Sequence, residues 1–112
     1  MNFPSIHRSC CEFLPPADAA SKFAALSHPV RIEILARVAG QGACCCKEVV
    51  AGLELAQSTV SQHLRILVDA GLLSFASEGK RSRYQVNGEA MAALSAELSR
   101  FAATCCRPAD RT

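Results

Sequence analysis

Gln57-Ser58-Thr59-Val60-Ser61-Gln62-His63-Leu64-Arg65-Ile66-Leu67-Val68-Asp69-Ala70 is the stretch on which the reading of the whole chain turns. At 3.6 residues per turn, Val60, Leu64, Leu67 and Val68 share one helical face and must pack inward. Ser58, Thr59, Gln62 and Arg65 fall opposite, with Ser61 and His63 at the flanks. Small hydroxyl and amide side chains near a helix N-terminus let it approach a DNA major groove closely. They offer donors and acceptors to base edges and bond phosphates. Ile66 also falls outward, which suits packing under a wing or a neighbouring helix. Glu54-Leu55-Ala56 connects this helix tightly to the one before it, as in a helix-turn-helix.

Downstream, Leu72-Leu73-Ser74-Phe75-Ala76-Ser77 and Arg83-Tyr84-Gln85-Val86 read as two short strands around a Glu78-Gly79-Lys80 turn. Lys80, Arg81 and Arg83 place three positive charges at its tip, beside Tyr84. A hairpin so charged, directly after a groove-reading helix, is suited to lie along phosphates and supply salt-dependent affinity. Upstream, a helix is predicted from Pro16 to about Ser27, carrying Phe23 and Leu26, because proline is tolerated in an opening turn. A second starts near Pro29, with Val30, Ile34, Leu35 and Val38 on its apolar face, and Gly40 and Gly42 end it. A third spans about Cys45 to Gly52, with Val49 and Leu53 inward, and a last one covers roughly Glu89 to Thr104. The order is helix, helix, helix, helix, hairpin, helix. It predicts a mostly α fold with a small β-hairpin, a winged helix-turn-helix with an extra helix at each end.

The 112 residues suit one domain, spanning 16–106 between a flexible N-terminal arm (1–15) and a short tail (107–112). Apolar mass is mostly Ala, Leu and Val, which favours packed helices over a sandwich. Net charge is only +2, so any DNA-binding charge must be local. No stretch approaches a membrane span in length, and a cytoplasmic location is expected. No cysteine pairs with a general base and no phosphate loop occurs, so an enzyme is not expected.

Seven cysteines stand as Cys10-Cys11, Cys44-Cys45-Cys46 and Cys105-Cys106. A stapled secreted domain normally has an even, spaced set. Adjacent cysteines close a strained ring and pair poorly with each other, but they present sulfurs well to one soft ion. In the last helix Met91, Leu94, Leu98, Phe101 and Cys105 recur at steps of three and four, the seam of a helix that pairs with another helix. Cys105 is then a small buried hydrophobe, part of a second soft-ligand site with Cys106, or a thiol for oxidation chemistry. His7, His28 and His63 read as surface residues.

Together these stretches resemble the ArsR/SmtB family of metal- and metalloid-responsive repressors. Residues 23–35, Phe23-Ala24-Ala25-Leu26-Ser27-His28-Pro29-Val30-Arg31-Ile32-Glu33-Ile34-Leu35, are similar to its opening motif. Residues 57–67 resemble its recognition helix, and Ala70-Gly71-Leu72-Leu73 with Gly79-Lys80-Arg81-Ser82-Arg83-Tyr84 resembles its wing. The likeness covers about residues 20–105. It implies a homodimer joined through the end helices that binds operator DNA. The DNA contacts expected are Gln57, Ser58, Thr59, Ser61, Gln62, His63, Arg65, Lys80, Arg81, Arg83 and Tyr84. One departure is Ala56, where the family usually has a capping serine; losing a cap costs about 1 kcal/mol unless Ser58 replaces it or the helix starts later.

The resemblance also gives the cysteines a role. Many arsenic-responsive members carry Cys-x-Cys at the start of the third helix, where this chain has the triple, with Lys47 at the second family position and a Cys44-x-Cys46 pair available one residue shifted. A helix N-terminus there would favour thiolates. Other members pair an N-terminal Cys-Cys with one cysteine near the third helix of the other subunit. From Cys11 to the first helix is about six residues, a reach of roughly 20 Å, enough for either subunit. The leading site for trivalent arsenic is therefore Cys10 and Cys11 with one of Cys44, Cys45 or Cys46, since three thiolates complete As(III). Arsenite, antimonite or methylarsenite would bridge arm and third helix and release the operator of a resistance operon. The last helix lacks the histidines that zinc- and cadmium-sensing relatives place there. Two alternatives stay open: a repressor sensing oxidants or persulfides through a disulfide between the arm and the triple, and a thiol-rich metal buffer that ignores DNA.

Overall fold

The computed structural model describes residues 14–42 and 44–105, apart from the side chains of Glu78 and Arg81. Its elements are α1 (Pro16–Leu26), α2 (Pro29–Gln41), α3 (Cys46–Ala51), α4 (Gln57–Asp69), β1 (Leu73–Glu78), β2 (Arg81–Val86) and α5 (Gly88–Cys105). This is the expected order of a winged helix-turn-helix. The assignments of Cys10, Cys11 and Cys106, the arm up to residue 13 and the tail lie outside the described residues.

Prolines open α1 and α2 because the first helical N–H needs no partner. The α2 cap is His28, whose Nδ1 accepts from the Val30 N–H at 3.1 Å. Of the two glycines expected to end α2, Gly40 lies within it, and Gly42, at φ 84°, ends it after Gln41. Only a residue tolerant of the left-handed region turns the chain so sharply there. Arg37 then ties α2 to the end of α3, donating from Nη2 to the Gly52 carbonyl at 2.6 Å and pairing with Glu33 at 3.0 Å.

The hairpin corrects the sequence reading. The first strand lies one residue later than expected, the second starts two residues earlier, and Gly79-Lys80 alone forms the turn, with Gly79 at φ 62°. Arg81 thus belongs to β2 and pairs with Glu78, because a two-residue turn lets cross-strand pairing continue to the tip. Asn87 joins the hairpin to α5. Its side chain donates to the Gly71 carbonyl at 3.0 Å and accepts from the Ala90 N–H at 3.1 Å, capping the helix.

The core lies where α2, α3, α4 and the base of the hairpin meet. Ile34, Val38, Val60, Leu64, Leu67 and Leu72 are fully buried there, with Cys44 and Val49 almost so. Val60, Leu64 and Leu67 are the face predicted for α4, and Val68 packs half-buried at its edge. Each such side chain stabilises the fold by about 1.5–3 kcal/mol through the water it sheds. Of the α5 seam, Leu94 is buried in this core and Met91 packs half-buried against it, while Leu98 and Phe101 are 54% and 58% exposed.

Candidate DNA-reading face and thiol cluster

Burying one face of α4 forces the other outward. Gln57, Ser58, Ser61, Gln62 and Arg65 are exposed, and Thr59 and His63 are half-buried. Ala56 stands at the N-cap position with no side-chain cap, and its carbonyl receives the Thr59 and Val60 N–H groups, both at 3.1 Å. Neither rescue expected for the missing serine occurs: the helix starts at Gln57, and Ser58 does not cap it. Arg65 approaches Asp69 at 3.9 Å with both side chains well exposed, a pair worth little. Ile66, 41% exposed, lines a shallow depression with Ser21 and Ala24 of α1 and Asp69 of its own helix.

His63 is less of a surface residue than expected. Its ring lies 4.5 Å from that of His28, and its Nδ1 is 3.3 Å from Nη1 of Arg31. Arg31 also donates from Nε to the Ala25 carbonyl at 2.6 Å. Burial, then His28 and then Arg31 hold the His63 imidazole below its usual pKa. The contact of His28 and Arg31 with His63 escaped the sequence reading. The only local signal was His28 standing before a proline at a helix start, a capping position.

In the hairpin, Lys80 is exposed at the tip, and Arg83 and Tyr84 are half-buried. The register sets Tyr84 opposite Phe75, with ring centroids 5.3 Å apart, on the face shared by Leu73 and Val86. Side chains alternate along a strand, so Arg83 lies on the other face. Arg81 is placed by its backbone only. Burial, and next the nearby Cys46, push the Tyr84 phenol up.

The triple is split by its surroundings. Cys44 forms a bridge with Tyr84: its N–H donates to the Tyr84 carbonyl at 3.0 Å, and the Tyr84 N–H donates back at 2.8 Å. Cys44 as a whole is 1% exposed. Burial first, then Glu48 and Cys45, raise its pKa against the opposing pull of Arg83. The expected lowering by a helix N-terminus therefore fails for Cys44, which precedes the cap and sits in the core. Cys45 is the α3 cap residue, its N–H donating to Glu48 Oε1 at 2.8 Å. Cys46 opens α3 half-buried, its Sγ 3.7 Å from Ser61 Oγ on α4. Cys105 ends α5, exposed on the single chain rather than buried in it. All four are free thiols, and among the described residues no three His, Cys, Asp or Glu side chains form a metal-holding group. Cys45 and Cys46 are half-buried at the start of α3, whereas Cys44 is enclosed in the core.

A helix-turn-helix domain family matches residues 26–74. The chain is 36% identical to the arsenical resistance operon repressor of Bacillus subtilis over 68% of its own length and 72% of that protein's. An ArsR-like transcriptional regulator from Rhodococcus superposes with a TM-score of 0.71 at 28% identity, over 80% of this chain and 83% of that one. The homodimeric winged helix-turn-helix domain Mb0332 of Mycobacterium bovis matches at TM-score 0.64 and 28% identity, over 78% and 80% of the two chains. With a groove-shaped polar helix, a basic hairpin and these likenesses together, the chain belongs to the ArsR/SmtB family of winged helix-turn-helix transcriptional repressors.

Proposed function

We propose that this repressor acts in the cytoplasm as a homodimer on operator DNA and is released when trivalent arsenic or antimony binds its cysteine thiolates. The observation that carries the reading is the position of Cys46: a thiol accessible at the start of α3 lies 3.7 Å from a hydroxyl of the DNA-reading face. The name of the Bacillus subtilis relative, an arsenical resistance operon repressor, supports the choice of ligand.

On DNA, Gln62 and Arg65 would reach base edges, while Ser58, Thr59 and Ser61 let α4 approach closely. The uncapped N–H groups at the start of α4 suit a phosphate oxygen, as do Lys80, Arg81 and Arg83 of the wing. His63 contributes from the edge of the face, and Tyr84 sets the position of the wing strand. On the ligand side, Cys10 and Cys11 are assigned from sequence, with Cys45 or Cys46 as the third sulfur and Cys105 and Cys106 as a secondary pair. Trivalent arsenic or antimony would supply the crosslink between arm and α3. A coupling of about 1–3 kcal/mol would weaken DNA binding some 5- to 150-fold.

The test is a Cys10→Ser/Cys11→Ser chain assayed on DNA from upstream of its own coding region. Operator binding is expected to survive and arsenite release to disappear. Loss of both, or of neither, contradicts the assignment.

A further inference from the structure

We propose that Cys46 is the contact through which the chemical state of the triple reaches the recognition helix, and that Cys44 is a fixed anchor rather than a sensing thiol. This deepens the reading above and rests on it only for the identity of the signal.

Three consecutive cysteines touch three different parts of the DNA-reading unit. Cys44 is clamped by two backbone hydrogen bonds to Tyr84 of the wing strand, and its sulfur is buried. Cys45 closes the first turn of α3: its carbonyl accepts from the Glu48 and Val49 N–H groups at 3.0 and 3.2 Å. Cys46 sets its sulfur against Ser61 of α4, the neighbour of Gln62 on the exposed face. The start of α3 is held on both sides, by the wing bridge before it and by buried Val49 after it.

A sulfur and an oxygen 3.7 Å apart leave no room for another heavy atom between them. An added atom sits about 2 Å from the sulfur when it is another sulfur. Once Sγ of Cys46 carries a bonded partner, either it swings away from Ser61 or α4 shifts. Either way the contact between Cys46 of α3 and Ser61 of α4 is lost. Because Cys44 holds the wing through backbone atoms alone, its bridge to Tyr84 outlasts that change.

The experiment uses the full chain, reduced or treated with methyl methanethiosulfonate. A protein thiolate attacks the reagent's sulfenyl sulfur, forming a mixed disulfide and expelling methanesulfinate; dithiothreitol reverses it. Wild type, Cys46→Ser and Ser61→Ala are each compared with their own reduced form, so differences in basal affinity cancel. Peptide mass spectrometry follows occupancy at Cys46, and amide NMR of the free protein follows Ser61 and Gln62. Wild type is expected to lose about tenfold or more in operator affinity, reversibly, and to shift both amides. Cys46→Ser should change less than about threefold with neither amide moving, and Ser61→Ala should respond less than wild type. A wild-type chain that takes up no label at Cys46, or a Cys46→Ser chain that responds fully, overturns the proposal. An arsenite arm separates the two readings. Arsenite that releases wild type and Cys46→Ser alike leaves the ligand assignment standing and removes the coupling. Arsenite that releases neither, while methylthiolation still acts through Cys46, does the reverse.

Discussion

At position 63 an imidazole sits where the DNA-reading helix meets the start of α2, against His28 and Arg31. Its pKa in the fold is below the usual 6.5, so the unfolded chain binds the proton more readily. Stability is therefore constant with respect to this group above 6.5 and falls as pH drops through the window below it. Urea unfolding at about pH 7.5 and about pH 5.5 should show a smaller acid loss for His63→Gln than for wild type; equal losses would mean His63 titrates as in the unfolded chain. The sequence places His63 correctly on a flank of its helix, because helical periodicity is a local property. Its partners are not legible that way. His28 and Arg31 reach it through tertiary packing, and no spacing rule within one helix reports that contact. Cys44 is the same case: its adjacency to Cys45 and Cys46 is plain in the sequence, but its bridge to Tyr84 is set by how the wing folds back.

Among the elements, the proposed function divides the work on DNA between α4 and the hairpin by their chemistry. The amide of Gln62 is suited to bases, whereas the wing cations are suited to phosphates, so their substitutions should differ in kind. Gln62→Ala should relax sequence preference by about 1–3 kcal/mol and leave the salt dependence unchanged. Arg83→Gln should weaken binding to all sequences and lower the slope of log affinity against log salt by about one. Anisotropy titrations on specific and scrambled duplexes over a range of salt distinguish these outcomes; the same effect from both variants would refute the division. The apolar face of α4 is legible because Val60, Leu64 and Leu67 repeat with the helix, and all three are fully buried. The hairpin is legible in kind but not in extent. Its strands continue to Gly79-Lys80 because antiparallel pairing between Glu78 and Arg81 and between Ser77 and Ser82 carries them there.

For the whole molecule, α5 leaves Leu98 and Phe101 exposed beyond Leu94, and Glu97 is buried with its Oε1 unpaired although its other oxygen meets Arg100. An apolar helical seam of this kind is best satisfied by a second copy, in keeping with the homodimeric Mycobacterium bovis domain of similar fold. Phe101→Asp should shift sedimentation from dimer to monomer and weaken operator binding, because one recognition helix per half-site needs both copies; an unchanged dimer would place the interface elsewhere. The central claim joins DNA reading to thiol ligation in one dimer, and arsenite titration of the operator complex under reducing conditions, followed by fluorescence anisotropy, tests it most directly. Release at low-micromolar arsenite, with zinc without effect, is the predicted result. A complex that forms tightly and ignores arsenite at saturating concentration would contradict the claim.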